Sequence, residues 1–326
     1  MLECFFRSNI FFIFATQLSV MRKVVFIGMF LLMFAPMWEQ EGVSAEFSPM
    51  FFLKQKAELP KEINETSGLF FHNGRLWTHN DSGGKPILYA LDTTTFEVVQ
   101  KLTIKNVKNK DWEDVCTDGE YVYVGNFGNN KGNRKDLSIY KFPLSSIPEE
   151  GDATIKVDSI CFSFGDQTNF EKRKHEHDFD CESMFATENY LYLFSKGWVT
   201  GTTRLYRLSK APGKHVAEVV NGFDSQGLIT GADYDQKSGI LVIVGYVKSI
   251  WKPFMYLIFD FDEAGEKLSN RRFEMPQWAG AQTEGICFFD EGRCYVSSET
   301  SPTITAKVFE MDFRKWINKE LKSKKR

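Results

Sequence analysis

A unit that recurs five times constrains this chain more than any other feature of its sequence. Each copy opens on a short polar or acidic stretch: Glu65-Thr66-Ser67-Gly68-Leu69, Trp112-Glu113-Asp114-Val115, Cys181-Glu182-Ser183-Met184, Ile229-Thr230-Gly231-Ala232 and Thr283-Glu284-Gly285-Ile286. Successive openings lie roughly 50 residues apart, with one longer gap of about 70 between Glu113 and Glu182. A period of this size belongs to propellers, solenoids and other arrays, whose units bury their apolar faces against one another.

The rest of each unit selects among these. A second apolar run follows each opening, as in Tyr121-Val122-Tyr123-Val124 and Ile240-Leu241-Val242-Ile243, and a turn such as Asn73-Gly74 or Asp118-Gly119 precedes it. Turns of this kind between short β-rich runs read as hairpins. A third run comes next (Ile87 to Ala90, Phe254 to Leu257), and the first four units have a fourth, such as Val98 to Ile104. Four short antiparallel strands per unit make a propeller blade.

The fold expected is therefore all-β, a five-bladed β-propeller, or six-bladed if the segment between Cys161 and Asp180 holds a further blade. The fifth unit has three strands after Glu284, and Phe51 to Leu59 supplies the missing one, closing the ring and removing an exposed edge. Helical spacing is found only near the end, where Phe313, Trp316, Ile317 and Leu321 fall on one face of a short helix. Residues 314–326 are read as this helix and a basic tail.

The propeller is assigned to 46–313. Upstream, Met21-Arg22-Lys23, the apolar stretch Val24 to Met37 and the small residues Val43-Ser44-Ala45 form a signal-peptide pattern over 21–45. Residues 1–20 precede this better start and read as a gene-model extension. The chain is expected to be exported (periplasmic, associated with the outer surface or secreted), with no transmembrane domain after cleavage, and monomeric. A net charge near −3 gives no support for nucleic acid as a partner. An exported chain with five cysteines after the leader leaves at least one unpaired. Cys287 and Cys294 either face each other across a hairpin or are free and buried.

In such a blade the first strand starts, and the second ends, on the same face. The openings thus share a face with the loops that begin at His79-Asn80-Asp81, Gly125-Asn126, Ser195-Lys196, Gly245-Tyr246 and Ser298-Glu299. Polar residues concentrate there, whereas the opposite face receives ordinary turns. Aligned openings place Ser67, Glu113, Glu182, Thr230 and Glu284 at the mouth of the central channel. Carboxylates crowded there repel unless their charge is offset. Two readings stand. Glu65, Glu113, Glu182 and Glu284 hold a Ca2+ or Mg2+ ion, with Asn80, Asp81, Asn126 and Glu299 adding oxygens. Alternatively, each carboxylate accepts backbone N–H groups of the next blade and locks the ring.

The stretch His175 to Glu182 carries four acids and two histidines and leads into the channel. His177 with Asp178, and His79 with Asp81, are candidate acid/base or ligand pairs, against a solvated acidic loop. Lys196 and Arg134 suit an anionic ligand or, equally, a neighbouring acid.

Taken as a set, Glu-Thr-Ser-Gly-Leu, His-Asn-Asp-Ser-Gly-Gly, Asp-Trp-Glu-Asp, Gly-Asn-Phe-Gly-Asn-Asn and Thr-Glu-Gly-Ile resemble a family of exported bacterial β-propeller proteins over about residues 60–312. That resemblance implies the fold and export and no particular activity. The Glu-Gly-Ile type of opening is more distantly similar to the phytase-like esterases, the gluconolactonase and paraoxonase group and strictosidine synthase. Their calcium-dependent members imply a cation at the channel mouth, at positions matching Glu113, Glu182 and Glu284; Ser67 and Thr230 depart from an all-acid ring. Three functions follow as expectations. One is a polar face that binds a small ligand or glycan, through a divalent cation. Another is a metal-dependent hydrolase of phosphoesters or lactones, with His177 or His79 moving protons. The third is a cell-envelope interaction platform anchored by Trp198, Tyr246 and Trp251.

Overall fold

The computed structural model describes residues 49–266, 268 and 270–323, so the signal-peptide reading and the 1–20 extension lie outside the described residues. A first strand, β1 (Lys54–Glu58), precedes the repeats. The first unit is β2 (Thr66–His72), β3 (Arg75–Asn80), β4 (Ile87–Asp92) and β5 (Val98–Ile104). The second is β6 (Asp114–Thr117), β7 (Tyr121–Asn126) and β8 (Leu137–Pro143), continued after the short β9 (Ala153–Ile155) by β10 (Asp158–Phe164). The third holds β11 (Asp180–Ala186), β12 (Tyr190–Lys196), β13 (Thr202–Ser209) and β14 (Gly213–Asp224). The fourth holds β15 (Leu228–Asp235), β16 (Ile240–Val247), β17 (Lys252–Ile258) and β18 (Asn270–Glu274). The fifth has β19 (Thr283–Asp290), β20 (Arg293–Ser298) and β21 (Lys307–Asp312), and α1 (Arg314–Ser323) follows.

Within each unit the strands pair antiparallel in chain order, and β1 pairs antiparallel with β21 to complete the fifth. Ion pairs fasten that closure, Lys56 to Glu310 at 3.0 Å and Lys307 to Glu58 at 2.7 Å. The first strands β2, β6, β11, β15 and β19 pack side by side in a closed ring. This is a β-propeller. The segment from Cys161 to Asp180 contributes the end of β10 and then a loop, not a further unit. The long gap is instead spent at the rim, where β10 runs parallel to β14 and merges two units into one eight-stranded sheet.

The second strand of each unit is sandwiched between two neighbouring units, which is why its apolar run is unbroken rather than alternating. On β7, Tyr123 faces the third unit with Met184 and Leu193, while Val122 and Val124 face the first with Phe70 and Trp77. Five such clusters fill the five gaps between units. The abundant aromatic residues are mostly this filling; Phe185, for example, stacks on Tyr192 at 5.1 Å. After the last unit, Trp316 of α1 packs on Phe273 at 4.9 Å. The side chain of Leu321, expected on the same face, lies outside the described residues.

Among the described residues no two cysteines pair. Cys287 sits opposite Tyr295, and Cys294 opposite Phe288, so the two thiols are offset by one residue and point to opposite faces of the sheet. Cys294 packs in the gap before the fifth unit and Cys287 in the gap after it. Both thiols are free and buried.

Ring closure brings the openings into backbone contact. A Cβ on Gly285 would lie 2.2 Å from the Ser67 carbonyl oxygen, one on Gly231 2.2 Å from that of Glu284, and one on Gly68 2.2 Å from the Val115 nitrogen. Glycine is required at these points because no side chain fits. The same position is Asp114 in the second unit and Ser183 in the third.

Candidate functional site

Four of the five first strands carry a register shift at their opening: between Thr66 and Leu69, Cys181 and Ser183, Ile229 and Gly231, and Thr283 and Ile286. A bulge leaves its extra residue unpaired and re-aims its side chain. Ser67, Glu182, Thr230 and Glu284 are those residues, and Glu113 immediately precedes β6 in the equivalent place. The alignment of openings thus has a physical cause.

These five positions do not act alike. Ser67 Oγ donates to the Glu113 carbonyl, and Thr230 Oγ1 donates to the Thr283 carbonyl at 2.6 Å. Both hydroxyls tie one unit to the next, which accounts for the two non-acidic openings. The three glutamates line a cavity of about 1060 Å³ at the channel mouth. Its wall also includes Asp81, Asp111, Arg134, Lys196, Tyr246, Gln282 and Glu299.

The acids there divide into distinct environments. Glu182 forms a buried ion pair with Lys196, whose Nζ lies 4.8 Å from the Trp198 ring and 5.3 Å from that of Tyr246. Glu284 Oε1 accepts from Gln282 Nε2 at 2.7 Å. Glu113 instead meets Asp81 and Asp111: one carboxylate oxygen from each lies within 4.8 Å of the others. Glu113 is 4% exposed, and its Oε1, like Asp81 Oδ1, is buried without a hydrogen-bond partner. Gly128 closes over the group, since a Cβ there would lie 1.9 Å from Glu113 Oε1. Burial, reinforced by the charges of Asp81 and Glu182, pushes the Glu113 carboxyl well above the usual range. Asp81 is pushed up to about 8, by burial first and then by Asp111 and Glu284. Burial likewise takes Asp111 to about 6, Glu284 to about 8 and Glu299 to about 7.

The structure separates the members of the cation set read from the sequence. Glu65 is exposed and does not line the cavity, Glu182 is already paired with Lys196, and Glu113 is joined by Asp81 and by Asp111. Asp111 had one signal in the sequence, its place two residues before Glu113 in Asp-Trp-Glu-Asp.

Asn80 and Asn126 do not line the cavity, and their side chains bond to neighbouring backbone. Asn80 Nδ2 donates to the Glu62 carbonyl at 2.7 Å. Asn126 Oδ1 accepts from the backbone N–H of Lys110 and Asp111, both at 3.3 Å, and so holds the loop that presents Asp111. Arg134 lines the cavity 4.0 Å from Asp111, but its guanidinium chiefly donates to the carbonyls of Gly128 (2.7 Å) and Asn126 (3.1 Å).

None of the three expected proton carriers lines the cavity. His79 is fully buried edge-on to Trp112, and desolvation lowers its pKa to about 4, so it is neutral. His177 accepts the Phe179 N–H at Nδ1 (3.1 Å) and lies 3.2 Å through Nε2 from the Asn130 carbonyl, which makes it a loop pin. Asp178 Oδ1 accepts from Val199 N–H at 2.8 Å and organises the turn after β12. The histidine that does line the cavity is His175, stacked on Trp198 at 3.9 Å. Its left-handed backbone, φ 59°, turns the ring inward, and nothing in the sequence pattern signals that.

Locking carboxylates exist too, one to three residues away from the expected places. Asp114 Oδ2 accepts from Met184 N–H at 2.7 Å, Asp180 Oδ1 from Asn129 N–H at 2.6 Å and Asp233 Oδ2 from Phe288 N–H at 2.8 Å. Each bond crosses between units. The expected aromatic anchors form no open patch: Tyr246 is buried, and Trp198 and Trp251 are half-buried in the cavity wall.

No protein-family model and no curated protein sequence matches this chain. Solved structures do match it. The PQQ-bound aldose sugar dehydrogenase of Streptomyces coelicolor is 10% identical, over 80% of this chain and 97% of that one, with a TM-score of 0.47. A glucose dehydrogenase is 9% identical over 79% and 98%, at 0.46. The WD40 domain of Toxoplasma gondii coronin is 13% identical over 81% and 77%, at 0.37. Among the described residues no helix is long and apolar enough to cross a membrane.

Proposed function

We propose that this chain is an exported β-propeller whose channel-mouth cavity binds a small polar ligand or glycan through a hard divalent cation, Ca2+ or the smaller Mg2+, held by Asp81, Asp111 and Glu113. The observation that carries this reading is the pair of buried, unpartnered oxygens, Glu113 Oε1 and Asp81 Oδ1, aimed into one carboxylate cluster. A buried charge without a partner is costly. An oxygen-only donor set is the chemistry that calcium and magnesium select. The apolar stretch and small-residue site at 21–45 support export. Binding is favoured over hydrolysis because His79 and His177 are packed away from the cluster. Open wall around the cation leaves room for ligand oxygens.

Calorimetric titration of calcium into the purified protein tests this. We expect saturable binding, weakened at least about tenfold (about 1.4 kcal/mol) in Glu113→Gln. Stoichiometric binding that survives both Glu113→Gln and Asp111→Asn would place the cation elsewhere and sink the reading.

A further inference from the structure

The cavity is electrically two-layered. Apart from the exposed Asp136, its acids are buried or half-buried, on the first-strand openings and the loops beside them, while a rim of lysines stands at the surface. Lys131, Lys172, Lys174 and Lys248 come from three loops, are exposed, and make no ion pair among the described residues. They differ in this from Lys196 and Lys110, which are neutralised by Glu182 and Asp136.

The rim is built rather than loosely splayed. The loop carrying Lys131 and the loop carrying Lys172 and Lys174 are zipped together. Arg173 N–H donates to the Lys131 carbonyl at 2.9 Å, and His175 N–H donates to the Asn130 carbonyl at 3.0 Å. His175 Nε2 lies 2.9 Å from Asn130 Oδ1, and Gln167 Nε2 donates to the Gly132 carbonyl at 2.8 Å. Of the zipped segment, Lys172 and Lys174 line the cavity and Arg173 does not. Lys248 is fixed from the other wall, its Nζ 4.7 Å from the Trp198 ring, whose Nε1 is anchored on Asp180 Oδ2 at 2.7 Å. Holding like charges convergent over one opening is unfavourable unless an anion offsets them.

As many basic as acidic side chains line this cavity. A divalent cation seated on the acidic floor therefore leaves an excess of two positive charges, with the unpaired lysines facing it. We infer that the ligand of this cavity is a small molecule bearing an oxyanion, a phosphate monoester or a carboxylate, that coordinates the cation with one oxygen and is held by Lys131, Lys172 and Lys174 through the others. This inference rests on the cation reading above and specifies the ligand of that site. It requires cation and oxyanion to bind with positive coupling, which by linkage is the same factor in both directions.

The test uses two probes that share a carbon frame and differ in the oxyanion, glycerol 2-phosphate and glycerate, titrated with and without saturating calcium. We expect at least one to bind at least tenfold more tightly in calcium, and calcium to bind more tightly by the same factor in that probe. Which probe responds distinguishes phosphate from carboxylate. In Lys172→Ala/Lys174→Ala the responding probe should bind at least about tenfold more weakly, while calcium alone binds no more weakly, two repelling charges having gone. Calcium binding that neither probe alters overturns the oxyanion inference and leaves the cation site standing. Equal anion binding with and without calcium also overturns it, as a rim acting by itself. Absence of calcium binding removes the cation reading and this inference with it.

Discussion

Asp114 accepts a hydrogen bond at 2.7 Å from the backbone N–H of Met184, a residue of the next unit, and a second at 2.8 Å from Val115 N–H. The carboxylate sits where three other units have glycine, and supplies there an acceptor that glycine lacks. Asp114→Ala orphans both donors, and each buried orphan costs about 1–3 kcal/mol. We expect lower stability by that order in denaturant unfolding. Asp114→Asn, which keeps one acceptor oxygen, should recover part of the loss. Equal unfolding midpoints for Asp114→Ala and the parent would show that the bond does not fasten these units.

The Lys196–Glu182 pair predicts non-additive behaviour. Both side chains are almost fully buried, so removing one partner strands the other's charge. Breaking such a pair costs about 3–5 kcal/mol, whereas removing both members costs less. Lys196→Met should therefore be more destabilising than the double variant Lys196→Met/Glu182→Gln. Chemical unfolding of the four members of this cycle measures the coupling. A double variant as unstable as the sum of the two singles contradicts it.

The acids of the floor set a pH dependence. Burial raises Asp81 to about 8, Glu284 to about 8 and Glu299 to about 7, so the folded protein holds protons there that the unfolded chain has released. Where the folded state binds more protons, stability falls as pH rises. Their contribution is complete below the unfolded carboxylate pKa of about 4, and it is lost as pH rises through 7 to 8. The cation-free protein should become less stable across that window. Calcium should oppose this, because it binds the ionised form: affinity rises with pH and protons are released. Thermal melts from pH 5 to 9, with calcium and with chelator, read both effects. Chelated protein that gains stability between pH 6 and 8 would refute the assignment.

Much of this architecture is legible in the order of the residues. The spacing of the openings, the hairpin turns and the unbroken second runs each report a local rule: period, turn chemistry and burial on both sides of a strand. The missing strand of the fifth unit is identifiable because a ring must close, and β1 fills it. The polar face is legible for the same reason, since strand direction alone decides which loops share an end. What stays hidden are choices made between units. Whether Glu182 serves a cation or a lysine depends on Lys196, fourteen residues away across a hairpin. The pairing of Glu113 with Asp81 joins two different units, at a separation that ring curvature sets. His175, His177 and Asp178 occupy one short loop. A single left-handed residue sends the first into the cavity and leaves the others as pins.

The repeat, read from residues alone, determines the unit, its strand order, the closing strand and the face where chemistry gathers, because these follow from interactions along a strand or across one turn. Tertiary structure decides which side chains meet on that face. Bulges at four openings shift the aim of Ser67, Glu182, Thr230 and Glu284 by one residue. Close backbone contact at Gly68, Gly231 and Gly285 sets the channel width. A carboxylate's role there depends on distances of a few ångströms to groups far away in the chain, and those distances exist only once the ring has closed.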